Sequence, residues 1–237
     1  CRGRLLLRNC FVSRPETDPA RRLAMTQLGN GLFDAEHYGE ALSVCEVELA
    51  IDKRIGSCEE DLLSIRTNLA NCLYLLGRTE DCLRMRREIF ATSSRHRRPD
   101  HENRLIDAIN LSESLIEAKL FEEARALVRD YIPVARRTLG TDHELTFELR
   151  TNSARAIYRD TNSSRDVHEA VAILEDVFRT TRRVFGLQHP IFAEYRQDLE
   201  NARMRLADDE SREAFTAATP TPSTRRRRRR RRPNKSS

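Results

Sequence analysis

Tryptophan is absent from this chain of 237 residues, and glycine and proline are scarce, at eight each. A many-stranded sandwich or barrel needs frequent turn residues, so the shortage argues against one and for helices. Long apolar runs are missing too. Nothing approaches the roughly 18 residues that cross a bilayer, and Leu5-Leu6-Leu7, set between arginines, is too short for the core of a secretion signal. No membrane association is expected. The chain opens on Cys1 rather than methionine, and whether it is a fragment of a larger protein stays open. Its six cysteines include no Cys-x-x-Cys pair. Cys45, Cys72 and Cys82 fall where a helix wants a small apolar residue, which a free thiol supplies. A reduced, intracellular protein is expected, cytoplasmic with the nucleus as the alternative.

Catalytic signatures are equally lacking. There is no glycine-rich phosphate loop, no His-Glu-x-x-His and no Gly-x-Ser-x-Gly. No enzyme activity, cofactor or metal site is expected. Three of the six histidines, His101, His143 and His189, share one position at helix starts and serve as structural punctuation. His96 and His101 flank arginines and make a poor metal site.

What is present is a period. Asn68-Leu69-Ala70 is followed 42 residues later by Asn110-Leu111, and Asn152 lies a further 42 on. His101-Glu102 and His143-Glu144 keep the same step. Within each unit a leucine precedes a small residue by 13 positions: Leu28 and Ala41, Leu69 and Cys82, Leu111 and Ala124. Asn68, Leu69, Cys72, Leu73 and Leu76 have the spacing of one buried helical face, and Gly77 ends that helix. The pattern predicts helix pairs over about 20–34 and 38–54, 59–76 and 79–95, 100–118 and 121–139, and 142–160 and 165–185. Gly29 and Gly31 weaken the first helix by about 1 kcal/mol each relative to alanine. Pro133 removes the hydrogen bond to the Arg129 carbonyl and is expected to kink or split its helix. Four extra residues are expected in the turn between Asp160 and Asp166. A last helix, from His189-Pro190 to about 208, has a polar outer face of Glu194, Arg196, Asp198, Glu200, Arg203 and Arg205, suited to capping the stack.

One such pair cannot bury its apolar face alone; stacked neighbours can. The fold expected is therefore all-α: a right-handed superhelix, or α-solenoid, of about four helix-turn-helix repeats plus a C-terminal capping helix, over residues 19–208. Residues 1–18 are expected to be irregular or weakly helical, and residues 209–237 a disordered Thr/Pro- and Arg-rich tail.

The chain resembles the tetratricopeptide repeats of kinesin light chain. The marks are Asp142-His143-Glu144, His189-Pro190, Asn68-Leu69-Ala70, Gly77, Glu122-Glu123-Ala124 and the unit ends Leu139-Gly140 and Phe185-Gly186. Cys82 stands where the pattern has alanine, Ser153 where it has leucine, and the first unit lacks the His-Pro opening. The resemblance implies a peptide groove lined by the asparagine of Asn-Leu-Ala, which carries over to Asn68, Asn110 and Asn152.

The register itself names the concave surface. If Leu69, Ala70 and Leu73 face the second helix of their pair, Asn68 and Asn71 point away from it. The matching residues are Gln27 and Asn30, Asn110 and Glu113, and Asn152 and Arg155, with Thr67 and Thr151 one place earlier. Carboxamides both donate and accept, so a row of them suits an extended peptide backbone. Two readings stay open: contact with a bound peptide, or ties between neighbouring helices. Tyr74 and Tyr158 are expected to fill the core, and the arginines and glutamates of the second helices to form a solvated face. The function expected is a non-catalytic scaffold or adaptor that binds a peptide or partner domain in this groove, with the oligomeric state open.

The formal charge of +5 is misleading. Arg225, Arg226, Arg227, Arg228, Arg229, Arg230, Arg231 and Arg232, with Lys235, supply nine positive charges; without them 33 basic residues face 37 acidic ones. Nucleic-acid binding can therefore rest only on the tail. The run has three readings: a phosphate-binding arm, in a nuclear or nucleic-acid-associated factor with the repeats as scaffold; a nuclear import signal; or a solvated terminus. No aromatic residue interrupts it, so it offers no base stacking.

Overall fold

The computed structural model describes residues 14–160, 166–186 and 188–218. Among the described residues there are nine helices and no strand. They are α1 (Pro19–Asp34), α2 (Tyr38–Ile55), α3 (Glu59–Leu75), α4 (Thr79–His96), α5 (Glu102–Glu117), α6 (Phe121–Thr138), α7 (Glu144–Tyr158), α8 (Val167–Phe185) and α9 (Pro190–Ala218). Each packs on the next in order, so α1–α8 form four antiparallel pairs and α9 stands alone at the end. The four extra residues expected after Asp160, most of the N-terminal segment and the arginine run lie outside the described residues.

Three devices set the boundaries. His101 and His143 cap α5 and α7: each Nδ1 accepts a hydrogen bond from the backbone N–H two residues on, at 3.2 and 3.3 Å. Asp18 does the same for α1 through the N–H of Ala20, at 2.8 Å. The turn inside a pair needs a residue with positive φ. Gly77 fills this place between α3 and α4 at 70°, but Glu36 and Lys119 fill it in the first and third pairs at 62° and 60°, where a side chain is strained.

The core is continuous from pair to pair. Leu42, Cys45, Leu69, Cys72 and Cys82 join α2, α3 and α4. Leu105, Ala108, Val128, Ala135 and Leu149 join α5, α6 and α7, and Ala154, Ala170, Leu174, Leu199 and Ala202 join α7, α8 and α9. Gly29 is not a simple defect. It is buried, and a Cβ there would lie 3.5 Å from the Cys45 sulfur, so the small residue lets α1 approach α2 closely. Cys45, Cys72 and Cys82 are buried free thiols, and burial pushes the Cys45 thiol up to about 12.

Pro133 does not split its helix: α6 runs unbroken from Phe121 to Thr138. Ala124, Val128, Tyr131 and Ala135 hold the turns on both sides of it in the core. Nor are the charges of the second helices all solvated. Glu48, Asp52 and Arg86 are buried. Arg22 bridges Asp52 and Asp61 at 2.6 and 3.1 Å, Arg97 bridges Glu60 and Asp107 at 2.5 and 3.0 Å, and Arg125 meets Asp160 at 2.8 Å. Such arginine–carboxylate bridges join successive units along the stack.

α9 closes the stack. The inner step from α7 to α9 is 46 residues, so Ala154 and Ile157 of α7, both buried, correspond to Glu200 and Arg203 of α9, both exposed. A further helix would have to bury those charges. Order does not end at 208 as the composition suggests. α9 continues to Ala218, and Asp209 is buried, bound to Arg205 at 3.0 Å.

Candidate peptide-binding groove

The first helices of the pairs, α1, α3, α5 and α7, form the inner wall with α9; α7 lies against both α5 and α9. Side chains four residues apart share a helix face. Glu113 and Glu117 on α5, Arg155 and Arg159 on α7, and Glu194 and Asp198 on α9 are such pairs. Together with Tyr74 of α3 they line one cavity of about 370 Å³. Its floor is a basic row between two acidic rows.

Arg155 is the hub. It binds Glu194 at 2.5 Å and Asp198 at 2.6 Å, donates to the Asn152 side-chain oxygen at 3.2 Å and lies 4.0 Å from Glu113. Burial opposes its charge, but the Asp198 and Glu194 carboxylates outweigh this and hold it protonated well above the ordinary arginine range. Tyr158 donates to the other Asp198 oxygen at 2.8 Å. Burial, then the Asp198 charge, pushes the phenol up. Arg159 pairs with Glu117 at 2.6 Å.

Glu148, one face-turn before Asn152, has no ion pair or hydrogen bond among the described residues. It is half-buried, and burial together with Glu113, Glu144 and Glu194 raises its carboxyl to about 7, with Arg155 acting the other way. Burial also raises Glu113, against the pull of Arg155 and Arg86.

The register residues divide by depth. Asn68, Asn110 and Asn152 occupy equivalent places on α3, α5 and α7, but not equivalent environments. Gln27 and Asn30 are exposed; Thr67, Asn68, Asn71, Asn110, Glu113 and Arg155 are half-buried. Thr151 and Asn152 are both 1 % exposed, with Asn152 at the edge of the cavity lining. The Asn152 amide donates to Ser112 at 2.9 Å and to the Ile109 carbonyl at 3.4 Å, and so ties α7 to α5. Where α5 and α7 meet closely, the residue at this seam is covered. Asp198 is its counterpart on α9 and is buried too, at 7 %. Thr67 bonds back to the Leu63 carbonyl, and Asn71 accepts from Arg86.

Tyr74 departs from the core role expected of it. It is 41 % exposed, whereas Ile116 and Tyr158, one and two periods later, are 2 % and 8 % exposed. Leu75 and Leu76 beside it are also exposed, so α3 ends in an apolar surface, of which Tyr74 borders the cavity. Glu117, Glu148 and Arg159 were not singled out from the sequence, and Glu194 and Asp198, expected on the polar outer face of the last helix, line the cavity instead. Their signal was there: Glu117 and Arg159 are one period apart, and both stand four residues beyond a named groove position.

The tetratricopeptide-repeat family model matches residues 108–144 and 160–191. Among solved structures, the nearly identical TPR-like repeats of a putative kinesin light chain from Podosopora anserina align at 19 % identity and a TM-score of 0.65, covering 85 % of this chain and 94 % of that one. BtubC (BKLC) from P. vanneervenii aligns at 17 % identity and a TM-score of 0.62, covering 99 % and 95 %. A Rap protein complexed with competence and sporulation factor aligns at 13 % identity and a TM-score of 0.52, covering 87 % of this chain and 58 % of that one. No curated protein matches in sequence. Period, helix pairs, capping helix and these likenesses agree: two segments of the chain match the tetratricopeptide-repeat family, and its helices have the fold of kinesin light chain-like repeat arrays.

Proposed function

We propose that the chain is a non-catalytic interaction scaffold that holds a peptide or an extended segment of a partner protein along its inner face. Arrays of this fold typically serve as protein–protein interaction scaffolds, and the concave surface of a solenoid is the part they use. The observation that carries the reading here is the cavity of about 370 Å³ whose lining comes from four different helices, α3, α5, α7 and α9. Its exposed aromatic lip at Tyr74 and its charged floor suit a ligand with both apolar and charged side chains. An intracellular setting fits the free thiols of Cys45, Cys58, Cys72 and Cys82.

The test uses two variants in affinity capture with quantitative mass spectrometry. Tyr74→Ala/Arg159→Ala alters the groove. Arg179→Ala alters α8, where Arg179 is 76 % exposed at the side chain. Proteins retained by the natural chain and by the Arg179 variant, and lost from the groove variant, are expected. Identical protein sets from all three would remove the groove from consideration.

A further inference from the structure

The C-terminal half of the groove carries more negative charge than it neutralises. Glu113 and Glu117 on α5 and Glu194 and Asp198 on α9 line the cavity with Arg155 and Arg159; Glu148 and Glu144 on α7 lie in the field of Glu113 and Glu194, with Arg86 behind Glu113. Both groove arginines are committed: Arg155 to Asp198 and Glu194, Arg159 to Glu117. Glu148 is left without a cation, and its environment favours the protonated form.

A second feature points to a ligand at the same place. Tyr195 is 1 % exposed, and its hydroxyl, in the field of Glu148, Glu194 and Glu144, has no hydrogen-bond partner among the described residues. A buried phenol without an acceptor is costly, so the junction of α7 and α9 is unsatisfied in polar bonding as well as in charge. On the opposite lip, the exposed Tyr74 ring offers a face to a guanidinium.

The chain itself contains a segment of the complementary chemistry, joined to the helix that forms the groove wall. Asp198 lies 20 residues before the end of α9 at Ala218, or about 30 Å along the helix. Extended, the chain from residue 219 places the arginines of residues 225–232 between about 20 and 48 Å from that end, a range that includes Asp198 and also Glu194. Tethering supplies an effective concentration in the millimolar range.

We propose that the arginine run at residues 225–232 docks in the acidic half of this groove, with guanidinium groups on Glu113, Glu148 and Glu194, so that any other partner of this half must be basic and must displace it. The inference rests on the groove being the binding face and adds the charge of its ligand.

The test uses the full chain. Lys235 is the one lysine in the tail, and carbodiimide coupling followed by mass spectrometry reads which carboxylates its amine meets. Links from Lys235 to Glu113, Glu148 or Glu194 are expected at low salt. They should fall at least about fivefold in 0.5 M salt and in Glu113→Gln/Glu148→Gln/Glu194→Gln. In parallel, a labelled octa-arginine peptide is titrated into the natural chain and into a chain with residues 225–232 changed to serine. The serine chain should bind one peptide, at least about tenfold tighter than the natural chain, whose own tail competes. Lys235 links spread evenly over surface carboxylates, or equal peptide affinity for the two chains, would overturn the proposal. So would an oligonucleotide bound by the tail with no Lys235 link to the groove. If either occurs while the Tyr74/Arg159 variant still loses its captured proteins, the groove reading survives and only the tail assignment falls.

Discussion

At the residue scale, one position of the repeat carries several jobs. Asn68 and Asn110 are half-buried, Asn152 is sealed in the seam between α5 and α7, and Asp198 anchors Arg155 at the last step. A carboxamide at a helix seam is valuable because it satisfies a donor and an acceptor at once. Asn152→Ala leaves the Arg155 guanidinium without one acceptor and removes both ties to α5. A loss of about 1–3 kcal/mol in urea unfolding is expected, with partner affinity unchanged where the fold persists. A large loss of affinity at unchanged stability would restore Asn152 to the groove. The turn position behaves differently. Gly77 adopts positive φ without strain, whereas Lys119 does so with a side chain. Lys119→Gly should therefore stabilise the chain, by up to about 1 kcal/mol once the greater freedom of glycine in the unfolded state is deducted. Gly77→Ala should cost about the same. Thermal melts of the two variants moving in the same direction would refute this account of the turn.

At the element scale, α6 shows how tertiary packing overrides a local rule. Proline inside a helix costs roughly 3 kcal/mol in isolation, yet Ala124, Val128, Tyr131 and Ala135 lie on one buried stripe that spans it. Pro133→Ala restores the bond to the Arg129 carbonyl, so the variant should be more stable by about 1–3 kcal/mol in denaturant. A destabilised variant would mean that the proline ring at Pro133 is needed to seat α6. The helices were legible in the sequence because periodicity is a local signal repeated four times, and an error in one unit is corrected by the others. The histidine caps and the Gly77 turn were legible for the same reason. The groove was legible only in part. Register says which side of a helix a residue occupies, but not how closely the next helix approaches it. Hence Asn152 and Thr151 were placed on the surface and proved buried, and Tyr74 was placed in the core and proved exposed. The half-buried bridges of Arg97 to Asp107 and Arg125 to Asp160 join residues 10 and 35 apart, and no period reports such a match.

At the scale of the whole molecule, the acidic groove gives the fold a pH dependence with a definite sign. Glu148 faces Glu113 from α5, Glu144 on its own helix and Glu194 from α9, against Arg155 alone, with the buried Tyr195 hydroxyl in the same field. Its carboxyl holds a proton up to about 7, whereas its ordinary value is 4.5. Between those values the folded chain keeps a proton that the unfolded chain has released, so stability falls as pH rises from 4.5 to 7 and then levels off. The span corresponds to at most roughly 3 kcal/mol. Burial raises Glu113, Glu48 and Asp107 as well, and each adds to the same slope. Because neighbouring units in a solenoid stabilise one another in sequence, a loss at the α5–α7–α9 junction weakens the C-terminal end first. The natural chain should therefore melt at a lower temperature at pH 7.5 than at pH 5, and Glu148→Gln, which cannot ionise, should reduce the difference and melt higher at pH 7.5. Equal melting of the natural chain at the two pH values, or an undiminished slope in the glutamine variant, would show that these carboxylates are better solvated than their placement implies. The same ionisation increases the negative charge of the groove, so binding of a basic segment should strengthen over the pH interval in which the stack itself loosens.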